Sequence, residues 1–475
     1  MHAPVAPQDL HGVGWQRWWR RPAGGRDVFR VAAPLVVSTM SWTALNFIDR
    51  VFLKWHSGEA MSAAFGASAM WFAFLCLPLG ICAYVNTFVA QYFGDGQPRR
   101  IGPAAWQGVY VAIAGVPLLV VAYVAAPQLF AWARHPPEIM DLEIRYFRVL
   151  CFGGAGLWVC AALCCVYSGC GRTAVNMWID AAFAGVNAAL DYAWIFGKWG
   201  FPAWGIEGAA WATVVSLWLK AAFYVGMMML PRSRRVFATG QFGLDRQLFK
   251  RLLRFGGPSG AQMLLEVAGF TAFVMLTGRL GPRAAEATAL AFSVNMLAFM
   301  PIWGFAMGAC ILVGQHLGEN RDDLADRSTH TALAMACTYG AIMAVLYLTV
   351  PGLFLKPFFN GESAASAAAN SEIYGTASRL LWFVAAYTLL DAFQITYVHA
   401  LKGAGDTRYI MYTSLTMAAF LAISTWLAVT VFHANLYACW FLISAWLAML
   451  AVVYRRRYRA GYWRQMRVID TVHQA

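Results

Sequence analysis

Charge is what this sequence has least of. Only 12% of its 475 residues are Asp, Glu, Lys or Arg, about half the share in a soluble domain. With 60% hydrophobic residues and a mean hydropathy of +0.53, that excludes an ordinary water-soluble globule and leaves a polytopic membrane protein. Strict apolar–polar alternation is missing too, so a transmembrane β-barrel is excluded and the spans are read as helices. The ten cysteines contain no pair of CxxC motifs at zinc spacing; they read as small hydrophobes inside spans. There is no HExxH and no GxSxG, which removes the usual hydrolase chemistries. His56, His330, His399 and His433 are isolated in sequence and are read as loop or interface residues. The first 30 residues carry five arginines and no short apolar core with a cleavage site, so the first span is expected to remain as an anchor. The Trp/Arg cluster GWQRWWRRP is expected to lie at the headgroup level.

What is present is a succession of apolar runs. They fall at 31–54, 66–91, 104–126, 147–168, 174–196, 206–230, 256–279, 286–314, 330–355, 378–401, 409–431 and 436–454. Each approaches or exceeds the roughly 20 residues that cross a hydrocarbon layer. The fold class is therefore an all-α integral membrane protein with twelve transmembrane helices. The longest polar interruption, 231–254, is basic and divides the spans six and six. The expected organisation is a basic N-terminus (1–30), an N-lobe (31–230), a linker (231–254), a C-lobe (255–454) and a basic C-terminus (455–475). The N-terminus, the even-numbered loops and the C-terminus hold 25 of the 36 basic residues. That asymmetry predicts cytoplasmic termini. It also accounts for the net charge of +13 without nucleic acid as a partner.

The two halves repeat. Pro34 and Pro258, Gly80 and Gly304, Gln91 and Gln315, and Gly94 and Gly318 are each 224 residues apart. The string VAQYFGDGQPRR answers VGQHLGENRDDL. An even number of spans separates the copies, so the two six-helix bundles are related by a parallel pseudo-two-fold repeat along the membrane normal. Such halves enclose a cavity at their interface and can rock about it.

Five acids fall inside spans: Asp49, Asp180, Asp191, Glu266 and Asp391. A carboxylate in hydrocarbon costs roughly 3 kcal/mol on insertion scales. Helical spacing puts Asp180, Asn187 and Asp191 on one face. It does the same for Ser259, Gln262 and Glu266, and for Tyr387, Asp391 and Gln394. Amides alone fit a helix-gluing role. Asp49, Asp191, Glu266 and Asp391 instead point to loading of a proton or sodium ion; Asp180 lies nearer the cytoplasmic end, and Glu207 reads as a helix N-terminal acid. Pro34 removes a backbone bond and permits a kink in the first span; a Pro34→Ala protein transporting at the unmodified rate would make that kink irrelevant.

From about residue 27 to 455 the chain resembles the multidrug and toxic compound extrusion (MATE) transporters, NorM/DinF-like. The resemblance rests on Pro34 and Asp49 in a P-x14-D pattern, VAQYFGDGQPRRI, YSGCGRT, VNAALDYAWIFGKWGFPAWGIEGAAWAT, PSGAQMLLEV and DAFQITYVHALKGAGDTR, in that order. It implies a secondary active multidrug efflux antiporter, not an enzyme. Such a protein would export organic, expectedly cationic, drug-like compounds from the bacterial inner membrane in exchange for H+ or Na+, by alternating access. The resemblance also implies an N-lobe cation site at Pro34, Asp49, Asn187, Asp191 and Thr213. Its C-lobe counterpart would use Glu266, Tyr387 and Asp391, with any Na+ held at the same acids and no cofactor. Branches of the family rely on one lobe more than the other, so the coupling lobe and ion stay open. Thr288 stands where NorM-like proteins often have glutamine. A monomer is expected. The second reading is a lipid or lipid-linked precursor flippase of the wider superfamily, whose cavity would carry basic residues. A major facilitator is disfavoured because the loop after the second span reads GDGQPRRIG, without a DRxGRR-like string.

Overall fold

The computed structural model describes residues 14–133, 137–358 and 367–470, which are helical with short connections and contain no strand. The helices, in chain order, are α1 (Gly14–Arg20), α2 (Gly25–His56), α3 (Gly58–Gly94), α4 (Ile101–Ala133), α5 (Pro137–Leu163), α6 (Cys165–Ser168), α7 (Thr173–Phe196) and α8 (Ile206–Met229). They continue as α9 (Pro231–Phe237), α10 (Arg246–Gly278), α11 (Pro282–Gly318), α12 (Asp322–Thr349), α13 (Pro351–Leu355), α14 (Ala367–Ala404), α15 (Thr407–Thr430) and α16 (Leu436–Arg459).

Eleven helices among the described residues are long and apolar enough to cross a membrane. The twelfth span, α7, has 24 residues, enough for the ~30 Å core. Its Asn176, Asp180, Asn187 and Asp191 dilute its hydropathy, and it can afford them because α2 and α8 pack along it. Several helices outrun the apolar text. α10 begins at Arg246 rather than 256, with Asp245 accepting from the Gln247 and Leu248 N–H groups at 3.0 and 3.1 Å as its cap. Much of the stretch read as linker is therefore helix, and 238–245 makes the turn. That turn is held by α4: Trp106 donates to the Thr239 carbonyl at 2.9 Å and Gln107 to that of Gly243 at 3.3 Å.

The packing repeats as the sequence does. α2 lies on α7, α3 on α4 and α5, and α8 on α5 and α7; in the second half α10 lies on α15, α11 on α12 and α14, and α16 on α14 and α15. The same pairs recur in the same order, so the bundles are parallel copies, not inverted ones. Gly171 and Gly405 stand at matching places before α7 and α15. Both adopt positive φ (+73° and +111°), which glycine reaches without a Cβ penalty.

The lobes meet through α3 against α10, α2 against α11, and α3 against α11. Gly80 packs on Gly260, and its repeat mate Gly304 packs on Val36. Nearer the end that carries α1 and residues 460–470, α3 and α11 cross at bare backbone. A Cβ on Gly94 would overlap the Gln315 carbonyl, and one on Gly318 would overlap the Gln91 carbonyl. The glutamines close a reciprocal clasp there: Gln91 Nε2 donates to the Gly403 carbonyl at 2.9 Å and Gln315 Nε2 to that of Gly169 at 2.7 Å. Hydrogen bonds between the lobes run from this clasp to Thr39 and the Met300 carbonyl, 3.3 Å apart. Towards the opposite end α2 exposes Met40, Trp42, Phe47 and Trp55. The hydrogen bonds that join the lobes are thus gathered at the end bearing α1 and residues 460–470. α2 runs through Pro34 as one helix.

Candidate functional site

In the N-lobe, α2 brings Asp49 against α7, and α8 closes the third side. Asn187 sits between the acids. With its amide oriented to satisfy both atoms, the nitrogen donates to Asp49 Oδ1 and to Asp191 Oδ2, each at 3.1 Å. The amide oxygen accepts from the Thr213 backbone N–H at 3.3 Å. Thr213 therefore joins the site through its main chain; its hydroxyl donates to the Ala209 carbonyl at 3.2 Å. Asp191 and Asn187 are buried, Asp49 half-buried, and Asp191 Oδ1 has no protein partner. The Arg50 guanidinium lies 4.9 Å over the Phe65 ring. Two carboxyl groups sharing one neutral amide form a site with spare acceptor capacity and room for one positive charge.

The C-lobe arrangement is looser. α10 presents Gln262 and Glu266, with Ser414 of α15 within side-chain reach of Glu266; Ser414 Oγ lies 3.1 Å from Tyr454 Oη. Asp391 of α14 faces Glu266. Tyr387, one turn before Asp391, stacks on Trp440 at 6.3 Å, and Trp440 Nε1 donates to Thr288 Oγ1 at 3.4 Å. Thr288 thus braces the aromatic wall behind Tyr387. Gln262 Oε1, Asn295 Oδ1 and Tyr387 Oη are buried without protein partners. Such atoms mark polar space rather than a sealed core. Gln394 is buried on the same helix face. No group of three or more His, Cys, Asp or Glu with metal-site geometry occurs among the described residues.

Three placements differ from the sequence reading. Asp180 stands apart from the N-lobe pair: it holds Lys220 of α8 at 2.5 Å and accepts a bond from Ser38 of α2. Lys402, counted as a loop residue, belongs to α14, and its charge acts on Glu266. His399, read as a loop or interface residue, is buried in α14 with its ring 5.0 Å from Trp303. Neither lysine could be assigned from spacing, because its partner sits on another helix. Lys220→Met is expected to cost about 2–3 kcal/mol by stranding Asp180. The double change Asp180→Asn with Lys220→Met should recover most of that, as read by thermal unfolding in detergent. The ten cysteines are free and mostly buried, and Glu207 lies in the first turn of α8, 3.8 Å from Arg145.

The MatE family signature matches residues 34–193 and 258–427, one match in each bundle. The chain belongs to the MatE family. It is a membrane transporter of that family and not an enzyme. It is 25% identical over 395 residues to the multidrug resistance protein PmpM of Pseudomonas aeruginosa, covering 82% of this chain and 80% of that protein. It is 27% identical over 404 residues to the multidrug resistance protein MdtK of Proteus mirabilis, with 84% and 85% covered. Among solved structures, an outward-facing multidrug resistance MATE family transporter of the MOP superfamily superimposes with a TM-score of 0.81 at 20% identity, covering 95% of this chain and 99% of that one. That likeness establishes the twelve-helix, two-bundle fold of this MatE protein.

Proposed function

We propose that this MatE protein is a multidrug efflux antiporter that exports organic cations in exchange for H+ or Na+. The observation that carries the proposal is the N-lobe arrangement, in which Asp49 and Asp191 meet on one Asn187 amide. The coupling cation loads there, and Glu266 and Asp391 supply a second acidic surface facing the C-lobe. The chain lies in the bacterial inner membrane, works as a monomer and contacts only lipid and small molecules. Both termini and the 231–254 link lie in the cytoplasm, on the side holding most of the basic residues. The lobes 31–230 and 255–454 move as units.

The cation favours one arrangement of the lobes and the drug the other, since only differential affinity moves such an equilibrium. Each charge carried inward contributes about 2.3 kcal/mol per 100 mV. The flippase reading needs a basic cavity. Lys220 is neutralised by Asp180 at 2.5 Å, so the unpaired buried charge in the N-lobe stays acidic. The test is reconstitution into liposomes with a proton or sodium gradient imposed separately and a fluorescent organic cation as cargo. The proposal expects accumulation against the cargo gradient with one of the two ions. Cargo movement indifferent to both gradients rejects antiport.

A further inference from the structure

We infer that the C-terminal segment Ala460–Asp470 is a strap that ties the two lobes together at their closed end and must release Gln91 for that end to part. The inference rests on the transport reading above and adds a regulatory element to it.

The root of the segment belongs to the C-lobe. Trp463 is fully buried, stacks on Tyr458 at 4.8 Å and donates to the Tyr458 carbonyl at 2.9 Å, while Tyr458 packs on Tyr397 at 5.1 Å. Arg464 lies 3.5 Å from Asp322, and Arg467 donates to Asn320 Oδ1 at 3.3 Å; both partners flank the α11–α12 turn. The tip then crosses. Val468 and Ile469 bury themselves in the apolar cluster built mainly from the N-lobe. The Val468 N–H donates to Gln91 Oε1 at 2.8 Å, and Gln97 Nε2 donates to the Asp470 carbonyl at 3.3 Å. Asp470 then returns to the C-lobe, where it takes Arg251 in the first turns of α10 bidentately at 2.7 and 2.5 Å, fixing the tip over Gln91.

Gln91 is therefore held on both amide atoms by the opposite lobe: its nitrogen by Gly403 and its oxygen by the strap. The segment that follows α8, at the equivalent place in the first half, stays with its own lobe, fixed to α4 through Thr239 and Gly243. The crossing is a departure from the repeat, located at the Gly94–Gly318 contact. Any motion that separates α3 from α11 must break the Val468–Gln91 bond and expose Ile469. Arg251 holds the Asp470 carboxyl below the usual carboxylate range. The pair formed with Arg251, beside Arg100, Asp245 and Tyr92, thus stays ionised at physiological pH, and cytoplasmic pH is not its release signal.

The test measures distances between spin labels on unnatural amino acids at positions 99 and 323, across the closed end, in the full-length protein. Ile469→Asp places a carboxylate in the closed seam and should raise the separated population roughly tenfold or more. Asp470→Arg, at an exposed side chain, should raise it about threefold, and adding Arg251→Asp in the same chain should reverse that change. Unchanged distances in both single variants, or no reversal in the charge-swapped protein, overturn the strap. Wild-type protein that keeps one distance under every cation and cargo condition overturns the transport reading instead.

Discussion

Asp49→Asn and Asp191→Asn are each expected to abolish gradient-driven efflux while leaving the protein folded. The amide keeps the shape and most of the hydrogen bonding around Asn187, so packing changes little. What disappears is one of the two carboxyl groups between which the single cation is held. Coupling one charge to a 100 mV potential is worth about 2.3 kcal/mol, which is close to a fifty-fold accumulation ratio. Each variant should therefore lose roughly that factor per 100 mV, read as steady-state cargo accumulation in liposomes. Asp391→Asn and Glu266→Gln, assayed alongside, tell which lobe couples. An effect confined to the C-lobe variants would move the coupling site to Glu266 and Asp391.

The second large effect concerns closure. Gly94→Val and Gly318→Val place side-chain carbon where the Gln315 and Gln91 carbonyls of the facing helix lie. The obstacle is backbone, not a flexible side chain, so α3 and α11 cannot yield by a rotamer change. Overpacking of this kind costs about 1–3 kcal/mol or more, charged entirely to the joined state. The expected outcome is a protein that inserts and binds cargo but exports at least tenfold more slowly, with the closed end open to a membrane-impermeant reagent added from that side. Gly226→Ala is the control, since a Cβ there meets nothing within 4 Å.

Most of the architecture could be read from the sequence, because lipid forces each span to satisfy its own backbone and to show an apolar surface. The 224-residue offset told more than hydropathy did. Gly94 and Gly318, paired on paper, prove to be one crossing seen from each side, and Gln91 and Gln315 form the reciprocal clasp above it. The stripes on α7, α10 and α14 also faced inward as their spacing required. What spacing cannot say is which neighbour a stripe faces. Asp180 and Asp191 share a face of α7, yet one meets Lys220 and the other Asn187 and Asp49, depending on where α2 and α8 cross. Asp180 was set apart from Asp191 only by its place along the span; the cation 40 residues on that pairs with it had no signature in the spacing. Thr213 entered only through the family resemblance, and nothing in the spacing showed that its backbone N–H, rather than its hydroxyl, meets Asn187. The basic tail was read as a topology signal, and the crossing of Val468 and Ile469 had no periodicity to betray it.

The most direct measurement is ion release on cargo binding. Purified protein in weakly buffered detergent solution, loaded with an organic cation, is monitored by a pH indicator and, in parallel, by displacement of radioactive sodium. The account predicts that one ion species leaves wild-type protein as cargo binds, and that the release vanishes in the Asp49→Asn, Asp191→Asn double variant although cargo still binds. Release of the same ion, in the same amount, from that double variant would contradict it.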